Sequence, residues 1–360
     1  MHTCEISQAD ARTRMDESSG ERRNWLPGQP QSKPHGPRAG LPMARGRNRA
    51  EPYSRPSIIP HSQGARGHDH ASGLTIQRQF ATGRAIVNQL RQAKYILGHS
   101  QAEIRRLTLQ AAILHPITER FLRTAEIGPG MRVLDLGCGA GDVSMLAAGF
   151  VGPSGSVVGI DRSPEVVASA RARARTAGLR QVMFKHAPLE TFSDPEPFDC
   201  VIGRYVLVHQ ADPVGFLRTA ARLVRPGGIL AFHEIDLTEG CHSRPRVWRW
   251  EAVWNLIFAA FCEVLPHYDS ASRLIERFSE AGLPAPNLFR EILVGGGTDS
   301  PLYAWIAETL RSVWPQLVEM GIVTEEMVPA ETLESKLRSA VVAARSQIEG
   351  PAQVCAWTRI

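Results

Sequence analysis

A chain of 360 residues, 43% hydrophobic and 21% charged, can bury a sizeable core as one large domain or two smaller ones, which excludes a fibrous or wholly disordered protein. No run of about 18 apolar residues occurs, because the densest stretch, 254–261, is interrupted by Asn255, so no membrane span is expected. The net charge of +5 sits mainly in residues 1–72, with 11 Arg and Lys against 7 Asp and Glu; the nearly neutral remainder makes nucleic acid a poor main partner.

Six cysteines without a CxxC pair offer neither a zinc framework nor a disulfide scaffold, so no metal and a reducing, cytoplasmic setting are expected. The polar, partly acidic first twenty residues lack the apolar core of a secretory signal.

Residues 1–73 show neither helical nor strand period, and their 8 prolines keep apolar burial too low to offset ordering entropy; they read as a disordered basic tail. An N-terminal helical cap is expected over 74–127. Its first helix follows from the spacing of Ile76, Phe80, Ile86, Leu90 and Ile96, and its second is opened by Ser100 with Glu103 as a capping box. Pro116 is expected to break the second helix before 117–125.

From residue 128 short apolar runs alternate with helices, the pattern of a parallel sheet covered on both faces. The predicted strands are 132–136, 156–161, 181–185, 198–203 and 229–234. Between the second and third, Ser163 caps, Pro164 fills the first helical turn, Glu165 complements the dipole and Gly178 ends the helix. Beyond Asp236 the rhythm changes: helices are predicted at 246–265, 270–282, 301–320 and 331–348, with strands at 287–294 and 353–357.

The segment Val133 to Asp142, VLDLGCGAGD, runs a strand into a glycine-rich turn at a helix start, where a ligand can approach the main chain. A dinucleotide site would want a small residue at the sixth position of a motif opening on Gly137; Asp142 stands there, and an acid at that helix end repels phosphate. Asp135 suits a cation, and Asp161, ending the second strand, can accept from two ribose hydroxyls. The site therefore wants a positively charged nucleoside without phosphates, a description S-adenosyl-L-methionine meets.

These residues resemble the class I S-adenosylmethionine-dependent methyltransferases, particularly the small-molecule branch that includes quinone-biosynthesis-like enzymes. Three further segments carry the resemblance: Phe198 to Leu207, FDCVIGRYVL; Leu223 to Ile229, LVRPGGI; and 274–283, ending in an AGL turn. The resemblance implies an α/β, Rossmann-like, seven-stranded, mostly parallel sheet with an antiparallel last strand, in a methyltransferase domain over 128–360. Helical insertions at about 240–283 and about 299–348 are expected to act as lid additions.

The resemblance further implies that Gly137, Cys138, Gly139 and Gly141 line the methionine part of the cofactor, that Asp135 lies near its ammonium, and that Asp161 holds the ribose. Ala187 and Leu189 border the adenine, with Ala187 offering its main chain because His186 replaces the family's usual Asp. Arg162 is expected to lay its guanidinium over the adenine, and Arg204 is counted with the cofactor residues.

On the acceptor side, His209 and Glu234 are the candidate bases, and Tyr205, Asp236 and Trp254 the candidate substrate contacts. His209 has a competing reading as a helix-start residue bonded to backbone, and the Trp248, Trp250 and Trp254 cluster one as helix core. The expected reaction is methyl transfer to O, N or C of a small, moderately apolar metabolite. A nicotinamide-dependent oxidoreductase and a non-catalytic cofactor-binding protein are the alternatives, and a homodimer stays open.

Overall fold

The computed structural model describes residues 101–327 and 332–360, with side chains from 105 onward apart from that of Met327. The tail expected over 1–73, the first cap helix and the Ser100 cap lie outside the described residues. Among those described, no helix is long and apolar enough to cross a membrane.

One continuous helix, α1 (Gln101–Thr124), precedes the sheet. The break expected at Pro116 does not occur. Proline removes one helical hydrogen bond, but Ile113, Leu114, Ile117, Phe121 and Leu122 on its buried face hold both halves in one line of packing.

The chain then alternates through β1 (Arg132–Leu136), α2 (Asp142–Val151), β2 (Ser156–Asp161), α3 (Pro164–Thr176), β3 (Val182–His186), β4 (Phe198–Arg204), α4 (Pro213–Ala221) and β5 (Val224–Asp236). Next come β6 (Ser243–Arg244), α5 (Trp248–Val264), α6 (Leu274–Glu280), β7 (Asn287–Gly296), α7 (Leu302–Glu319), α8 (Leu333–Ala343) and β8 (Gln347–Arg359). The local signals work as chemistry: Ser163 Oγ accepts from the Val166 amide ahead of α3, and Asp212 Oδ1 accepts from the Gly215 amide ahead of α4.

Among the described residues the sheet has eight strands where seven were expected, in the order β3-β2-β1-β4-β5-β8-β6, with β7 on the other edge of β8. The extra strand is the two-residue β6, which pairs with the start of β8 at Ser243↔Ile348. Strands β1 to β5 are mutually parallel, and β8 runs antiparallel to both β5 and β7. β8 is 13 residues long, not the short strand expected at 353–357, because residues 347–352 face β6 and β7 even though Gly350 and Pro351 lie among them.

Strand alternation splits the core between the two faces. Leu134, Leu136, Leu230 and Phe232 pack with Leu217 of α4 and Phe278 of α6. Val133, Ile229 and Ala231 pack on the other face with Phe121 of α1 and Ala147 of α2. Each fully buried leucine or phenylalanine contributes about 1.5–3 kcal/mol relative to exposure. A third cluster joins α5, α7 and α8 to Ile113 and Leu114 of α1, to Val208 and to Ile235 at the end of β5. It places an apolar roof beside the C-terminal ends of the central strands.

Candidate active site

Open parallel sheets bind ligands beyond the carboxyl ends of their strands, and the chemistry-bearing residues gather there. The register aligns Leu136 with both Ile160 and Gly203, so the ends of β1, β2 and β4 form one edge.

After β1 the main chain turns through left-handed conformations at Gly139, φ 51°, and Gly141, φ 89°. A side chain at Gly141 would strike the Phe184 ring at 2.7 Å, whereas one at Gly139 would meet none of the described residues within 4 Å. Gly141 is therefore needed for packing. Gly139 leaves a bare backbone cradle.

The Gly139 amide donates to Asp161 Oδ2 at 2.9 Å and the Ser163 amide to Oδ1 at 2.9 Å. Each oxygen keeps acceptor capacity beyond that one bond, which suits a pair of vicinal hydroxyls. The Arg162 guanidinium, expected over the adenine, is paired with the Glu190 carboxylate on the exposed surface. His186 Nε2 lies 2.9 Å from the Arg162 carbonyl. The Ala187 amide already donates to the Asp161 carbonyl at 3.0 Å, leaving its own carbonyl as the main-chain group for a base, and Leu189 is buried in the core.

Asp135 is 1% exposed and its Oδ2 accepts from Ser144 Oγ at 2.5 Å. Burial pushes its carboxyl up to about 7, against the opposing hydrogen bond from Ser144 and the positive charge of Arg204. Burial also raises the Cys138 thiol, with the charges of Asp135 and Asp161 acting the same way, so it is no thiolate nucleophile. Asp142 is not the phosphate-repelling acid expected: Arg173 Nη2 donates to its Oδ1 at 2.7 Å and neutralises it. The case against a diphosphate therefore rests on Asp135 and Asp161.

Beyond β4, Tyr205 adopts a left-handed φ of 58°, costly for a bulky residue and held by several contacts. Its amide donates to the His233 carbonyl at 2.9 Å, and its hydroxyl to Gln353 Oε1 at 2.6 Å. The Gln353 amide is oriented by its own donation to the Pro351 carbonyl, so its Oε1 also receives His233 Nε2 at 3.0 Å, which assigns the imidazole proton to Nε2. Thr118 Oγ1 lies 3.2 Å from His233 Nδ1 and accepts from Arg204 Nη1 at 3.2 Å. Burial and the Arg204 charge lower His233 to about 3, so it stays neutral as a framework group.

The two candidate bases part company. His209 ends a single turn, Leu207–His209, with part of its surface exposed, while burial of its ring and the Arg162 charge lower its imidazole to about 4. Glu234 has no exposed surface, and its Oε1 accepts from the Val206 and Leu207 amides at 3.0 Å each, which makes it part of the wall and not a base against an acceptor. Burial pushes its carboxyl up to about 7, the amides of Leu207, Val206 and Val208 opposing. Asp236 is 5% exposed and spends Oδ1 on the amide and hydroxyl of Thr238. Trp254, 3% exposed within the α5, α7 and α8 cluster, is core rather than an aromatic clamp. Sequence reading missed Ser144, Thr118 and Gln353; Thr118 and Gln353 lie 115 and 120 residues from His233, so no local pattern marks them.

Residues 127–274 match a family described as a methyltransferase domain. Aklanonic acid methyltransferase DauC of Streptomyces sp. (strain C5) is 38% identical over 118 residues, 32% of this chain and 54% of that protein. A ubiquinone biosynthesis O-methyltransferase of Paracidovorax citrulli is 34% identical over 109 residues, 30% of this chain and 44% of that protein. The chain thus spans about half the length of these curated relatives. The YcgJ protein of Bacillus subtilis is similar in structure with a TM-score of 0.46 at 18% identity, over 68% of this chain and 99% of that one. Residues 127–274, which hold the glycine turn and the acids of β1 and β2, thus match the methyltransferase-domain family.

Proposed function

We propose that the chain catalyses methyl transfer from S-adenosylmethionine to O, N or C of a small, moderately apolar metabolite. The observation that carries this reading is the bare backbone at Gly139 bonded to the carboxylate of Asp161, with the buried carboxyl of Asp135 one strand away. A cradle without side chains, an acceptor for vicinal hydroxyls and a carboxyl for a cation fit a cationic nucleoside.

In this reading Asp161 holds the ribose, the turn 137–141 lines the amino-acid end, and Asp135 and Arg204 face the ammonium and the carboxylate. The donor, when bound, supplies an electrophilic methyl group. The protein's own task is then to orient the acceptor and exclude water. The roof of α1, α5, α7 and α8 supports an apolar acceptor, and Tyr205 borders it. His209 is the candidate to remove a proton from it. The relatives named for methylating aklanonic acid and for ubiquinone biosynthesis point to an aromatic or quinone-like acceptor class. A cytoplasmic setting and a small-molecule partner belong to the same reading.

Calorimetry tests it directly. S-adenosylhomocysteine should bind and NAD should not; the reverse result overturns the proposal. Acceptor-dependent release of S-adenosylhomocysteine from methyl-labelled donor would then separate an enzyme from a protein that only binds the cofactor.

A further inference from the structure

We propose that Glu234 is a positioning residue for the methyl donor: its carboxylate anchors the turn after β4 against the glycine turn after β1, so the donor's cradle is set from β5. The inference rests on the donor site assigned above.

A carboxylate fully out of water is costly and persists where a specific bond needs it. Glu234 is 0% exposed; its Oε1 accepts from the Val206 and Leu207 amides, the Val208 amide also favours the carboxylate, and Oε2 is buried with no hydrogen-bond partner among the described residues. The two amides follow Tyr205, whose left-handed backbone turns them toward β5. Without an acceptor there, both would be buried and unpaired.

The turn matters because of what Val206 touches. Its Cγ1 lies 2.7 Å from where a side chain on Gly137 would begin, and its Cγ2 2.7 Å from the same point on Gly203. Val206 thus fills the space beneath the glycine turn and is 6% exposed. If the amides slip from Glu234, Val206 withdraws from Gly137 and the cradle loses its floor. An ionised carboxylate accepts two amides more strongly than a neutral carboxyl does, so the anchor weakens on protonation. The charged and titratable groups facing Glu234 are Arg277 on α6, Tyr205 on the turn and Cys355 on β8.

The test is the dissociation constant for S-adenosylhomocysteine, measured by calorimetry on wild type and Glu234→Gln from about pH 5.5 to about 8.5, with folding followed by circular dichroism. Glutamine keeps an acceptor but no charge. We expect Glu234→Gln to bind about tenfold more weakly at high pH and to converge with wild type at low pH, where both are neutral. Taking the ratio at each pH removes any contribution from Asp135, which both proteins share. A ratio that stays constant with pH, or equal affinity throughout, overturns the proposal. If Glu234→Gln fails to fold, Val206→Ala serves: it should weaken binding several-fold while keeping the wild-type pH dependence, and unchanged affinity would count against the mechanism. A wild-type protein that leaves S-adenosylhomocysteine unbound overturns the donor reading itself.

Discussion

The amide of Gly139 reaches across from the first strand's turn to the carboxylate of Asp161 at the end of the second, at 2.9 Å. The residue that bares the backbone and the carboxylate proposed to accept the ribose hydroxyls are thereby one unit. Asp161→Ala should weaken S-adenosylhomocysteine binding by at least tenfold, because it removes the hydroxyl acceptor and frees the turn. Unchanged affinity by calorimetry would count against the site.

Alanine at two glycines should separate binding from folding. Gly139→Ala meets none of the described residues within 4 Å and should cost about 1 kcal/mol of stability through its φ of 51° while blocking the cradle, so donor affinity falls far more than the melting temperature. Gly141→Ala meets Phe184 at 2.7 Å and should lower the melting temperature first. Thermal unfolding and titration of the same two samples check both.

Asp135 makes stability depend on pH in a defined sense. Its folded carboxyl sits at about 7 and its ordinary value is 3.8, so between them the folded state holds a proton the unfolded state has lost. The associated stability is fully present below about pH 4 and is lost as pH rises through about 7. The difference between the two values corresponds to about 4 kcal/mol. Asp135→Asn should remove this share of the slope in denaturant titrations. In wild type, a cationic donor should expel the proton, so calorimetry near pH 6.5 in buffers of differing ionisation enthalpy should report proton release.

Trp254→Ala should act on stability. The ring is 3% exposed among Trp250, Ile257 and their neighbours, and deleting it leaves a cavity worth about 3–5 kcal/mol. A melting temperature close to wild type, with altered acceptor binding, would restore Trp254 as a substrate contact.

Much of this was legible before the fold was known. Strands β1 to β5 announce themselves as short apolar runs, and the glycine turn and Asp161 follow from local chemistry. Asp212, whose side chain accepts from the Gly215 amide just ahead of Pro213 and α4, is a cap that the same rules would have found. What could not be read is what tertiary packing decides. Pro116 sits inside a helix because both neighbouring turns are buried, and β8 extends through Pro351 because β6 and β7 give it partners. Arg173, the residue that silences Asp142, lies 31 positions away on another helix. Glu234 looked like a base because its burial is a property of the assembled sheet and not of the strand.

The strand order carries a consequence for synthesis on the ribosome. Among the described residues β7 pairs with β8 alone, and β5 reaches β7 only through β8. As the nascent chain emerges, β1 to β5 can join as soon as they are made, while β7 must wait, edges bare, until residues 347–359 have left the exit tunnel.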